Sequence, residues 1–236
     1  MNTIFHPSSE RGHVDLSWLD SHHSFSFGHW YDPQKVHFGA LRVLNDDVVK
    51  GGEGFNTHPH DNMEIVSIPL SGALAHKDST GTNALIKTGD VQIMSAGTGI
   101  QHSEFNASKT ETVNFLQVWI FPKKRDITPR YDQKNFDPKE RINKWQVVVS
   151  PDKSEGGVWI NQDARFALTK LEEGKEISFT PRFPGNGIYV FLLEGATELD
   201  RRKLNKRDAI GIPSSNTISI KALKDSEILC IEVPMN

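Results

Sequence analysis

The sequence predicts an all-β protein made of two tandem barrel modules, and three observations carry that expectation. Apolar residues recur in short runs bounded by Gly, Pro, Asn or Asp rather than at helical spacing. One phrase is written twice: VFLLEGATEL with Asp208 beyond it repeats SIPLSGALAH with Asp90 beyond it, each a strand, a glycine turn (Gly72, Gly195), a polar excursion and an Asp-led strand. A polar, proline-punctuated stretch, KKRDITPRYDQKNFDPKERINK, lies between the two copies.

The runs follow in order. FGALRVL (38–44), MEIVSIPL (63–70), DVQIMSA (90–96) and VNFLQVWIF (113–121) supply strands of the first module. WQVVVS (145–150), IYVFLLEG (188–195) and EILCIEV (227–233) supply the second. Val, Ile and Phe crowd a helix but fit a pleated, half-buried surface. The division falls within residues 125–145, giving an N-terminal module over 1–130 and a C-terminal module over 131–236. SHHSFSFGHWY, ahead of the first barrel, is expected to pack its aromatic rings over it, with His22, His23, His29 and His37 as hydrogen-bonding structure. His76, just past the Gly72 turn, is given the same role.

Composition narrows the class. A chain of 236 residues, 36% apolar and 24% charged, can bury a sizeable core and is neither disordered nor membrane-spanning in character. No run approaches the roughly 20 apolar residues of a membrane span, and MNTIFHPSSERGHVD lacks a signal-peptide core, so a cytoplasmic protein is expected. A single cysteine, Cys230, excludes an intrachain disulfide and reads as a core strand residue. A net charge of −3 gives no general attraction to nucleic acid, and KKRDITPR and RRKLNKR carry no aromatic residues for base stacking.

Histidine is distributed unevenly: all ten lie at or before His102. Any histidine-bound metal therefore belongs to the first module. On a strand, residues two apart share a face, so His58 and His60 point the same way while Pro59 turns aside. His102 and Glu104 repeat the spacing after the glycine-rich corner AGTGI. On facing strands the two pairs offer three imidazole nitrogens and one carboxylate to a single ion. Such a set suits a divalent first-row metal, Fe(II) first, with Mn, Co, Ni, Cu or Zn as alternatives.

GEGFNTHPHDNMEI, LSGALAHKDSTG and GDVQIMSAGTGIQHSEFN resemble the cupin superfamily, and together with SHHSFSFGHWYDP and FGALRVLNDD they closely resemble its pirin family of bicupins. The general cupin pattern is met by Gly52, His58, His60 and Glu64, with Gly72 one residue late, Ser95 in place of a usual proline, and His102 as the later histidine. Many cupins take their carboxylate ligand at the position of Glu64; the pirin family takes it at that of Glu104. The closer resemblance implies the ligands His58, His60, His102 and Glu104, with Glu64 a further pocket residue.

Pirin-like bicupins are similar to quercetin 2,3-dioxygenases, which cleave a flavonol with O₂ and release carbon monoxide. The resemblance implies a flavonol substrate, and Glu104 or Glu64 as the group accepting its hydroxyl proton. It equally implies an alternative, since members of the family act as metal-binding regulatory factors through protein partners.

Overall fold

The structure, a computed structural model, describes residues 3–214 and 217–235. Each module pairs a seven-stranded with a four-stranded sheet, antiparallel throughout except where Gln146–Ser150 meets Val158–Trp159 in parallel, and regular helix is limited to three 3₁₀ turns among the described residues. In the first module the large sheet runs Arg130–Asn135, Asp90–Ser95, Glu64–Ser71, Val113–Ile120, Leu41–Val49, Leu19–His23, Gly12–Asp15. Its small sheet runs Gly54–His60, Ile100–Asn106, Ala73–Asp78, Asn83–Lys87.

The second module repeats the plan. Its large sheet is Ile4–His6, Ala209–Ile212, Asn186–Glu194, Ser226–Pro234, Arg165–Leu171, Gln146–Ser150, Val158–Trp159, and its small sheet is Glu176–Phe179, Ile218–Ala222, Ala196–Leu199, Arg202–Asn205. The all-β, two-barrel expectation holds. The stretch read as a connector is partly strand, since Arg130–Asn135 pairs with Asp90–Ser95 of the first module. In the opposite sense, Ile4–His6 from the start of the chain pairs with Ala209–Ile212 of the second.

Strand alternation divides the core. On Glu64–Ser71, Val66 and Ile68 join a cluster that also takes Val149, Phe166, Tyr189, Phe191 and Leu229 from the second module. Ile65, just before Val66, turns into the first barrel with Met94, Ala96 and Ile100. The two large sheets therefore share one apolar layer, and each strand serves that layer with one face and a barrel with the other. Arg207 adds a polar tie across the junction, donating through Nε to Asp46 at 2.6 Å.

The two barrel interiors differ in kind. The second is filled by Phe179, Ile188, Val190, Leu192, Leu204, Ile210, Ile220, Ile228 and Cys230. Burial pushes the Cys230 thiol well up, in keeping with a core role. Its end carries buried Glu232, which accepts from the Arg182 and Phe183 backbone N–H groups at 2.9 and 2.8 Å. The first barrel has one apolar cluster of Leu19, Val49, Leu74, Ile86, Val113 and Phe115, apart from that of Ile65, Met94, Ala96 and Ile100. It also holds buried polar side chains.

Candidate metal centre

The imidazoles come from two adjacent strands of the first module's small sheet, not from strands facing each other across the barrel. His58 on Gly54–His60 lies directly opposite His102 on Ile100–Asn106, and His60 lies opposite Ile100. A register shift between His102 and Glu104 bulges the pairing there, a device that re-aims side chains beside functional sites. The strand of His102 is led in by Gly97, whose φ of +49° is the left-handed region and whose missing Cβ would meet the Ile127 carbonyl oxygen at 1.9 Å. That corner is anchored to the other strand's end by Asn62 N–H donating to Gly97 O at 2.9 Å.

The three rings converge. Ring centroids stand 4.4 Å apart for His58 and His102, and 4.9 Å for both His60 with His102 and His58 with His60. One donor atom from each lies within 4.8 Å of the others. His60 Nε2 and His102 Nε2 are 3.0 Å apart. Two nitrogens bound at about 2.1 Å and at a right angle around one ion would stand about 3.0 Å apart, so this separation fits a shared octahedral ion.

Protonation fits as well. Burial first, then the His58 charge, holds His60 down to about 4. Burial, with His58, His60 and His76, holds His102 down to about 2. Both rings are therefore neutral at physiological pH, with lone pairs available to a cation. The Nδ1 of His58 lies 2.7 Å from the Asn56 carbonyl, which places its proton there and leaves Nε2 as the donor atom.

Glu104 sits one layer deeper and is 3% exposed. Its carboxylate groups with His102 and His76, all within 4.8 Å, so two donor sets share His102. Ser67 Oγ donates to one carboxylate oxygen at 3.1 Å and Gln117 Nε2 to the other at 2.7 Å. Burial pushes the carboxyl up to about 7, with those two hydrogen bonds opposing.

Glu64 is not brought to this cluster. It occupies the face of its strand that carries Val66 and Ile68, and its Oε2 accepts from Ser95 Oγ at 2.8 Å and from the Asn161 backbone N–H of the second module at 3.1 Å. Burial pushes its carboxyl from 4.5 up to about 7, against those hydrogen bonds. A carboxyl whose folded pKa is raised adds stability that is fully present below about 4.5 and lost as pH rises through about 7. Glu64→Gln is expected to flatten that fall, worth on the order of 3 kcal/mol, in urea denaturation of the metal-free protein across this window. It should leave metal content unchanged. An unaltered slope, or loss of metal, would contradict this placement.

Sequence reasoning gave His76 a hydrogen-bonding role without placing it beside the other histidines, and it missed Gln117 and Trp119. His76 is completely buried, its Nε2 is 2.9 Å from Asp78 Oδ2, and its ring lies 4.8 Å from that of Tyr131. The signal was present in the inward face of ALAHKD, where Leu74, His76 and Asp78 alternate. Gln117 was legible as the one uncharged amide inside the apolar run FLQVWI. Trp119, whose ring meets that of His60 edge-on at 4.9 Å, gave no such signal. Among the described residues, no comparable donor group lies in the second module.

Two packed jelly-roll barrels, one with converging histidines and one filled with apolar side chains, define a bicupin. Residues 4–120 match the family described as Pirin, and residues 147–233 match the Quercetinase C-terminal cupin domain. The chain belongs to the pirin family. It is 42% identical over 231 residues to quercetin 2,3-dioxygenase of Escherichia coli K12, covering 96% of each chain, and 36% identical to a pirin-like protein of Caulobacter vibrioides, covering 96% of this chain and 97% of that one. A crystal structure of bacterial pirin YhhW from E. coli in complex with nickel(II) superposes with a TM-score of 0.93 at 38% identity, covering 99% of both chains. A divalent metal is thus consistent with both the relative and the donor set. No helix among the described residues is long and apolar enough to cross a membrane.

Proposed function

We propose that the protein is a metal-dependent dioxygenase of the quercetin 2,3-dioxygenase type, opening a flavonol with O₂ and releasing carbon monoxide. The observation that carries this reading is the 3.0 Å approach of His60 Nε2 to His102 Nε2, in a chain 42% identical to a relative named for that reaction.

In this reading His58, His60, His102 and Glu104 hold one divalent ion, with Fe(II) preferred and Mn, Co, Ni, Cu or Zn as alternatives. When bound, the ion supplies Lewis acidity that favours the anion of the flavonol 3-hydroxyl, and redox capacity toward O₂. The chain supplies the remaining steps. Glu104 takes the hydroxyl proton, because its carboxylate lies beside His102 and His76 inside the barrel, within reach of a substrate hydroxyl held at the ion. Ser67 and Gln117 fix the carboxylate so that its free lone pairs face the imidazoles rather than the sheet. Trp119 walls the His60 side and limits water there. The first module, which includes Arg130–Asn135, carries the chemistry and the second braces it through the shared apolar layer, with Glu64 as part of that brace.

The test is headspace carbon monoxide after adding quercetin in air to protein reconstituted with Fe(II) and, in parallel, with Mn, Co, Ni and Cu. Metal-dependent release that disappears in His58→Ala is the expected result. A metal-loaded protein that releases none would overturn the flavonol assignment and favour a binding role with a protein partner.

A further inference from the structure

A second group of donor side chains lies outside the barrel, on the hairpin formed by Gly12–Asp15 and Leu19–His23. The register sets His13 opposite His22, and Asp20 is two residues from His22, so all three side chains share the outward face. The same alternation sends Ser21 and His23 inward, where both are buried. The imidazoles of His13 and His22 stack at 4.5 Å with an interplanar angle of 18°. Their nitrogens converge on one oxygen: His13 Nε2 is 2.9 Å and His22 Nδ1 is 3.4 Å from Asp20 Oδ1. One donor atom from each of the three lies within 4.8 Å of the others.

From these distances we propose that His13, Asp20 and His22 form a surface site for a borderline divalent ion, Zn(II), Ni(II) or Cu(II), separate from the buried centre. Atoms bound at about 2.1 Å to one ion stand about 3.0 Å apart at a right angle and about 3.4 Å apart at a tetrahedral angle, the range spanned here. Two imidazoles and one carboxylate are the donor types such ions take, with water completing the shell. The side chains are 52%, 53% and 41% exposed for His13, Asp20 and His22, so an ion reaches them without opening the fold.

The hairpin is held in shape before any ion arrives. Asp15 Oδ1 accepts from Ser17 N–H at 2.9 Å, and Leu16 N–H donates to Leu19 O at 2.9 Å. From beneath, Arg11 donates to the His22 carbonyl at 2.7 Å. Its guanidinium is set against Asp46 at 3.6 Å, which reduces its repulsion of a cation.

The test uses protein whose buried site has been loaded and the excess ion removed. Titration with Zn(II) in a calorimeter, with total metal per chain measured after desalting, is expected to show one additional equivalent. His13→Ala, and independently Asp20→Asn, are expected to weaken that event at least tenfold while the buried ion is retained. Cu(II) at the same stoichiometry should give an electron paramagnetic resonance spectrum with nitrogen splitting that His13→Ala removes. His58→Ala protein should keep the surface event, so failure of the dioxygenase reading leaves this one intact. Metal that never exceeds one per chain, or a second equivalent that survives His13→Ala and Asp20→Asn, would overturn it.

Discussion

Purified His102→Ala protein is expected to carry less than roughly a tenth of the wild-type metal per chain, since losing a ligand exceeds the 10- to 100-fold cost of losing a mere supporting partner. His102 is the residue common to both buried donor groups, and it is 2% exposed. Its ring is held neutral by burial and by His58 and His60, so what the substitution removes is a lone pair at the centre of the cluster. Turnover should vanish with the metal.

A second readout does not depend on activity. An ion that binds only the folded chain stabilises it by about 4.1 kcal/mol at a thousand times its dissociation constant. Compared in a His13→Ala background, which removes the surface group, Tm should therefore climb on adding the ion when His102 is present and should not climb for His102→Ala. In that background, a His102→Ala protein that still holds a full equivalent, or still gains Tm, would remove His102 from the ligand set.

Tyr189→Ala should cost about 3 to 5 kcal/mol of unfolding free energy, the range for emptying a large buried aromatic site. The ring is fully buried in the layer between the modules and lies 5.4 Å from Phe25 and 5.5 Å from Phe38. Its hydroxyl is 2.9 Å from His6 Nδ1, on the strand that the start of the chain lends to the second module. Tyr189→Phe, which removes only that bond, should cost about 1 to 3 kcal/mol because a buried polar partner is left alone. Urea denaturation followed by both tryptophan fluorescence and circular dichroism checks the values and whether the modules unfold together. A loss below about 1 kcal/mol for the alanine variant would mean that the layer can collapse around the gap.

The barrels and the histidines were legible because they depend on short-range rules. Alternation puts His58 with His60 and His102 with Glu104 on common faces, and the internal repeat reports two modules whatever their packing. What stayed hidden depends on register across strands. That His58 meets His102, that Glu64 turns towards Asn161, and that Gln117 reaches Glu104 follow from which strands pair and where a bulge shifts them. Glu64 was misplaced because a residue at a strand end can serve either face, and only the neighbouring Val66 and Ile68 decide which. The edge strand Ile4–His6 was missed for another reason: three residues are too few to show alternation.

That short strand also sets an order of events in the cell. Ile4–His6 leaves the ribosome well before its partner, Ala209–Ile212. At roughly 5 to 20 residues per second, the roughly 200 intervening residues take about 10 to 40 s to synthesise. Throughout that interval Ile4–His6 has no strand to pair with, so that edge of the second module's large sheet is completed only after Ala209–Ile212 has been made.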